Sequence, residues 1–268
     1  MKTTEQESCY SHLDKMSPME LLQAINEEDH IVPDAVHKAI PQIDALLEKM
    51  VERMRRGGRV FYLGAGTSGR LGVVDASEIP PTYGVHDKFI GLIAGGDKAI
   101  RNAVEKAEDQ IGQGWTDIQA FCPSPEDTVI GIAASGGTPY VLGAIREARK
   151  CGLLTGSITC NAGSECAKAA EYPIVVVVGP EFVTGSTRMK AGTAAKLVLN
   201  MLSTSAMIML GHVVGNRMVD MQLTNRKLID RGTRMVMEQT GITDYEKAQA
   251  MLLEHGHVRE AVEAYKKS

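Results

Sequence analysis

From Arg59 onward, the hydrophobic positions fall in short unbroken runs separated by amphipathic stretches of helical length. The runs are 59–63, 89–93, 128–133, 153–159 and 173–178, and β-branched residues fill the last of them (Pro173-Ile-Val-Val-Val-Val178). Continuous apolar runs suit strands buried on both faces, as in a parallel sheet covered by helices. Helices are predicted between them at 70–78, 98–112, 139–151 and 164–170, and the chain after Thr184 reads as helical: 187–211, 213–239 and two short helices from 243 on. Upstream, residues 1–17 lack periodicity and form an arm. Ser17-Pro18-Met19-Glu20 then reads as a capped helix start, with the hydroxyl as N-cap, proline in the first helical position and glutamate three residues on. Val32 to Met54 reads as a longer helix with Val36, Ile40, Ile43, Leu46, Leu47 and Met50 on its apolar face, and Pro41 should kink or restart it. The expected fold is α/β: a three-layer, doubly wound parallel sheet in residues 55–212, with helical additions at 1–54 and 213–268.

One apolar stretch, Ala191 to Leu210, is long enough for a bilayer. Lys196, Asn200, Ser203, Thr204 and Ser205 interrupt it, so it reads as a buried central helix, and no membrane association is expected. Composition narrows the partners further. A net charge of -4 over 268 residues offers no basic footprint for nucleic acid, and aromatics at 4% offer no stacking platform. The five cysteines are scattered without CxxC spacing, and the N-terminus is polar, so a cytoplasmic protein with reduced thiols is expected.

The chemistry concentrates in loops that follow strands. Gly64-Ala-Gly-Thr-Ser-Gly69 matches GxGxxG, but the acidic residue that would hold a dinucleotide ribose is missing after 89–93, where the chain reads Ala94-Gly95-Gly96. Gly66 with the hydroxyls of Thr67 and Ser68 instead suits a terminal phosphate. Ala134-Ser135-Gly136-Gly137-Thr138-Pro139 repeats the design, with Pro139 opening a helix. A third loop, 179–190, carries Ser186 and adds the cations Arg188 and Lys190. Each alone could be a tight turn with a capping hydroxyl. Three of them at the carboxyl edge of one parallel sheet make a ligand site.

Two carboxylate groups stand near these loops. Pro80 should push Ile79 out of the α region, leaving Glu78 at a helix C-terminus, where the dipole disfavours negative charge and suits a general acid. Glu105, Glu108 and Asp109 cluster after Gly95-Gly96, either as a solvated charged face or as a source of a second catalytic group. Composition does not choose between Glu105 and Glu108. His255 and His257 read as surface residues of a helix.

The stretch 64–81 resembles the signature of the N-acetylmuramic acid 6-phosphate etherases, within the sugar isomerase (SIS) domain family. So do Ile25-Asn-Glu-Glu-Asp29, Ala107-Glu108-Asp109, Gly131-Ile-Ala-Ala-Ser-Gly136 with Thr138-Pro-Tyr140, Thr184-Gly-Ser186 with Arg188-Met-Lys-Ala-Gly-Thr193, and Leu197-Val-Leu-Asn-Met-Leu-Ser-Thr204. The resemblance runs from about residue 13 to about 241 and implies cleavage of the D-lactyl ether of N-acetylmuramic acid 6-phosphate by elimination and water addition, without metal or other cofactor. It implies Glu78 as proton donor and Glu108 as second catalytic carboxylate. Gly66, Thr67, Ser68, Ser135, Gly136, Thr138, Ser186, Arg188 and Lys190 would bind substrate, and a homodimer is expected. Ile79 and Gly137 depart from the family pattern, which often has cysteine and arginine there. The same scaffold serves a non-catalytic sugar-phosphate-binding regulator and aldose–ketose isomerases, which are the alternatives.

Overall fold

The computed structural model describes residues 2–267. Five strands form one parallel sheet: β1 (Val60–Gly64), β2 (Phe89–Ile93), β3 (Thr128–Ile132), β4 (Leu154–Thr159) and β5 (Tyr172–Val175), in the order β2-β1-β3-β4-β5. Every residue of β1, β3 and β4 is buried, as the unbroken apolar runs predict.

Helices cover both faces. On one face, α3 (Gly66–Ser77) lies so close that a Cβ on Gly72 would sit 3.0 Å from Tyr62 and 3.2 Å from Ile132. On the same face α2 (Ile31–Arg55) reaches Gly156 through Leu46. On the other, α6 (Gln113–Gln119) and α7 (Pro139–Lys150) pack on Phe61, Leu63 and Val129, and Gly131 leaves room for Val141 and Ile145. The chain thus crosses to opposite faces after β1 and after β3, and this is the switch point at which open α/β sheets bind ligands. The base of β1 is fastened by a buried carboxylate. Asp127 accepts from the Arg59 backbone N–H (2.7 Å), from its guanidinium (2.8 Å) and from the Ser124 N–H (2.8 Å). Burial pushes the Asp127 carboxyl up, but these donors outweigh it and hold it below the usual carboxylate range.

The described chain divides into two compact units, one running up to Ser77 and including Lys88–Ser205, the other made of Glu78–Asp87 and the chain from Ala206 on. The second has its own apolar core, in which Val219, Met221, Met235, Val236, Leu252 and Val262 are buried. It contains α4 (Ile79–Tyr83), a hairpin of β6 (Val213–Val214) and β7 (Arg217–Met218), and the helices α10 (Arg226–Thr240), α11 (Tyr245–His255) and α12 (Val258–Lys267). Asp220 links its elements, accepting from Arg259 Nε (2.7 Å) and facing His212 Nδ1 (3.0 Å).

Several expectations need correction. The predicted helix 98–112 is broken into α5 (Asp97–Arg101), a 3₁₀ turn at Glu105–Ala107, and the later α6. Asn102 turns extended there, and Val104 and Ala107 go to the core side. The predicted helix 213–239 begins instead with the β6–β7 hairpin, turned by Gly215 at φ 61°, and its helix starts at Arg226, capped by Asn225. The strand in the run 173–178 ends at Val175, with one further bond from Val176 N–H to the Thr159 carbonyl at 2.8 Å. Pro41 lies within a continuous α2, and Ile40, expected on its apolar face, is exposed. The capping box of α1 (Pro18–Asp29) forms as expected: Ser17 Oγ accepts from Glu20 N–H, and Glu20 accepts from Ser17 N–H at 2.7 Å. The expected buried helix is α9 (Lys190–Met209). One face is buried through Ala191, Ala194, Val198 and Leu202, while Lys196, Met201, Thr204 and Ile208 are exposed. No described helix is long and apolar enough to cross a membrane.

Candidate sugar-phosphate site

The loop after β1 is held by contacts that only glycine allows. A Cβ on Gly69 would lie 2.6 Å from the Gly64 carbonyl and 2.6 Å from Ile93, so strand end and first helical turn touch. Gly66 takes φ 54°, in the left-handed region, with open space beside it. This geometry presents Thr67 and Ser68, both half-buried, in the first turn of α3, where backbone N–H groups and the helix dipole favour an anion. Among the described residues, no protein group engages either hydroxyl.

The loop after β3 is fixed just as tightly. Gly136 takes φ 65°, and a Cβ there would meet Ser164 Oγ at 2.2 Å. Its carbonyl accepts from Cys166 N–H at 2.9 Å, tying the loop to α8 (Glu165–Ala169). Ser135 Oγ accepts from Gly137 N–H at 3.3 Å, and Thr138 is the N-cap of α7 without using its side chain as a cap. Ser135 and Thr138 are half-buried at the edge of this turn. Burial disfavours the thiolate form of the nearby thiols: burial, then Glu181, pushes Cys160 up to about 12, and burial takes Cys166 up to about 12.

Glu108 is joined to this second loop through the backbone. Its carbonyl accepts the N–H of Tyr140, in the first turn of α7, at 2.9 Å. Glu105 and Glu108 line a cavity of about 380 Å³ together with Gly66, Thr67, Arg70, Ala94 and Val104. Both carboxylates are exposed. Arg70, which sequence reasoning passed over, lies three residues after Thr67 and so shares its helix face. It places a cation on the cavity wall and donates through Nε to the Ile100 carbonyl at 2.9 Å.

The third loop differs from expectation in its donors. Glu181, buried, accepts from the N–H of Lys190 (2.9 Å) and of Ala191 (3.0 Å), so the amino end of α9 is already capped by a carboxylate. Lys190 is itself buried, and its ammonium pairs with Glu28 of α1. Ser186 is half-buried and Arg188 exposed. The first turn of α9 does reach the first loop, since a Cβ on Gly192 would touch Thr67 at 3.4 Å. The structure therefore gathers Gly66, Thr67 and Glu108 around one cavity and binds Ser135–Thr138 to Glu108 through Tyr140. It leaves Lys190 paired elsewhere.

Glu78 opens the second unit and is exposed. Ile79 is helical, contrary to the reading of Pro80 as a helix stop. Pro80 and Pro81 sit in the first turn of α4, a position that proline favours, and Glu78 is the N-cap of that helix. It therefore stands after the carboxyl end of α3 and before the amino end of α4, and the one-sided dipole expected from the sequence is not what the fold provides.

Known proteins resemble this chain over its whole length. An N-acetylmuramic acid 6-phosphate etherase from Bacteroides thetaiotaomicron is 60% identical over 268 residues, covering 100% of this chain and 96% of the relative. One from Porphyromonas gingivalis is 60% identical over 266 residues, 99% of this chain and 97% of the relative. The profile of the glucokinase regulatory protein N-terminal SIS domain matches residues 42–149. Among solved structures, a phosphoheptose isomerase from Francisella tularensis superposes with a TM-score of 0.53 at 17% identity, over 71% of this chain and 98% of that one, a likeness of fold alone.

Proposed function

The chain belongs to the N-acetylmuramic acid 6-phosphate etherase family, and on that premise we propose that it cleaves the D-lactyl ether of N-acetylmuramic acid 6-phosphate, yielding N-acetylglucosamine 6-phosphate and D-lactate. The 6-phosphate is held by Gly66, Thr67 and Ser68 at the amino end of α3, with Ser135, Gly136 and Thr138 beside it. Ser186 and Arg188 complete the binding set, while Lys190, buried against Glu28, holds the amino end of α9 in place behind them. The observation that supports this reading is that Glu108 lines one cavity with Gly66 and Thr67 while its backbone carbonyl accepts from Tyr140 N–H, next to the second loop.

In the ring-opened aldehyde the C2 proton is acidified by the carbonyl. Glu108 removes it, and the resulting enolate expels the C3 oxygen. Glu78 gives its proton to that oxygen, so lactate leaves as the free hydroxy acid. Water then adds at C3 of the enal and a proton returns to C2, so the sum is one ether hydrolysed by one water. Each proton transfer of this kind contributes about 10²- to 10⁴-fold. The step needs no metal or redox cofactor. The protein acts in the cytoplasm as a homodimer, and the exposed apolar neighbours Ile208 and Met209 at the end of α9 support a contact between copies.

Incubation of the purified protein with N-acetylmuramic acid 6-phosphate is expected to release D-lactate and N-acetylglucosamine 6-phosphate in equal amounts. The match to a regulator's domain favours, as a second reading, a protein that binds sugar phosphate without turning it over. Tight binding of the sugar phosphate with no lactate release would replace the first reading by the second, and a ketose product would point to isomerase chemistry.

A further inference from the structure

The arm before α1 is not a loose tail. Thr4 is fully buried, and it exchanges two hydrogen bonds with Asn161: its N–H donates to Oδ1 at 3.3 Å, and Asn161 Nδ2 donates to Thr4 Oγ1 at 2.9 Å. The same Asn161 amide donates to the Ala134 carbonyl at 3.0 Å, so the arm is locked to the loop after β3. Farther along, Ser8 donates through Oγ to the Phe182 carbonyl at 2.7 Å, its N–H donates to Thr184 Oγ1 at 3.0 Å, and the Tyr10 ring packs on Phe182 at 5.0 Å between centroids. Residues 2–10 thus strap two of the three candidate phosphate loops together.

The strap has a charged end. A Cβ on Gly137 would lie 2.8 Å from Lys2 Nζ, and among the described residues beyond its chain neighbours only Lys2 comes within 4 Å. Gly137 is not among the glycines with positive φ, so the backbone does not demand glycine there. Its bareness leaves the space in which the Lys2 ammonium sits, beside a loop that carries Ser135 and Thr138. Glu5 on the same arm faces Gly185 instead. Among the described residues Lys2 enters no ion pair, whereas Lys190, the cation expected at this site, is buried against Glu28.

We propose that Lys2 is a phosphate-binding residue of the sugar-phosphate site, delivered to the loop 134–138 by the N-terminal strap. The inference rests on the reading of that loop as a phosphate loop. An exposed ammonium brought to a phosphate dianion forms a charge-assisted hydrogen bond, and for an exposed donor the lower end of the usual range applies, about tenfold in affinity.

The test is calorimetric binding of N-acetylglucosamine 6-phosphate, and of unphosphorylated N-acetylglucosamine, to the full-length protein with an untagged N-terminus. Lys2→Ala is expected to weaken binding of the phosphorylated sugar about tenfold and to flatten its salt dependence. The same variant should leave the unphosphorylated sugar and the melting temperature unchanged, and Lys2→Arg should bind like the wild type. Wild-type affinity in Lys2→Ala overturns the proposal, as does an equal loss for both sugars, which would mean a structural role. Wild-type protein that binds no sugar phosphate overturns it together with the phosphate-loop reading. Lys2-dependent binding without D-lactate release sinks only the etherase reading, and D-lactate release with Lys2-independent binding sinks only this one.

Discussion

Glu78→Gln and Glu108→Gln are each expected to lower kcat/KM for D-lactate release by about 10²- to 10⁴-fold, the range for removal of a positioned acid or base. Each substitution keeps the side-chain volume and removes only the ability to move a proton. Both side chains are exposed, so neither change leaves an uncompensated buried group, and the melting temperature should stay at the wild-type value. Binding of N-acetylglucosamine 6-phosphate should also persist, because the phosphate donors lie on the loops at Gly66–Ser68 and Ser135–Thr138. Glu105→Gln is the informative companion, since Glu105 lines the same cavity as Glu108. Full activity in Glu105→Gln with loss in Glu108→Gln assigns the base to Glu108. The reverse pattern moves the role to Glu105, and full activity in Glu78→Gln removes Glu78 from the chemistry.

The largest effect on stability is expected at Asp127. Its side chain is 1% exposed, and it accepts from two backbone N–H groups and from the Arg59 guanidinium. Asp127→Ala strands those donors beneath the sheet, and breaking a buried pair typically costs about 3–5 kcal/mol; with the Arg59 side chain 25% exposed, the loss should be about 3 kcal/mol. The pH dependence follows from the direction of the shift. Asp127 is held below the usual carboxylate range in the folded protein, so the unfolded chain takes up its proton first as pH falls. Its contribution is therefore present above the ordinary aspartate pKa of about 3.9 and disappears as pH drops through the lower folded value. Urea melts at neutral pH and at about pH 3 check this: the gap between wild type and Asp127→Asn should narrow in acid. A loss under about 1 kcal/mol at neutral pH, the range of exposed pairs, would contradict the assignment.

Much of this was legible in the sequence because local chemistry and tertiary demand agree there. The runs at β1, β3 and β4 are apolar because both faces are covered, Gly64 and Gly69 are glycines because backbone meets backbone at that turn, and Gly66 because its φ is 54°. The capping box at Ser17 is local and was readable as such. The failures occur where signals competed. At Pro80 the pre-proline restriction argued for a stop, while proline's preference for the first helical turn argued for a start, and the start prevailed. The Gly215-Asn216 pair between Val213-Val214 and Arg217-Met218 is a two-residue hairpin signal that competes with the helical periodicity on its carboxyl side. The break after Arg101 has no strong local mark, because it follows from packing Val104 and Ala107 into the core and from the bond between Glu108 and Tyr140. The pairing of Lys190 with Glu28 spans 162 positions and the contact of Lys2 with Gly137 spans the arm and half the sheet, and no periodicity reports such distances.

The elimination route makes a specific demand on the product's hydrogens. Run in deuterium oxide, the reaction should give N-acetylglucosamine 6-phosphate with deuterium at C2, because the C2 proton is removed and later replaced from solvent, while D-lactate carries no deuterium on carbon. Mass spectrometry and NMR of the two products read this directly. Release of D-lactate from a sugar that keeps its original C2 hydrogen would contradict proton abstraction by a carboxylate base and leave direct displacement at the ether as the chemistry of this site.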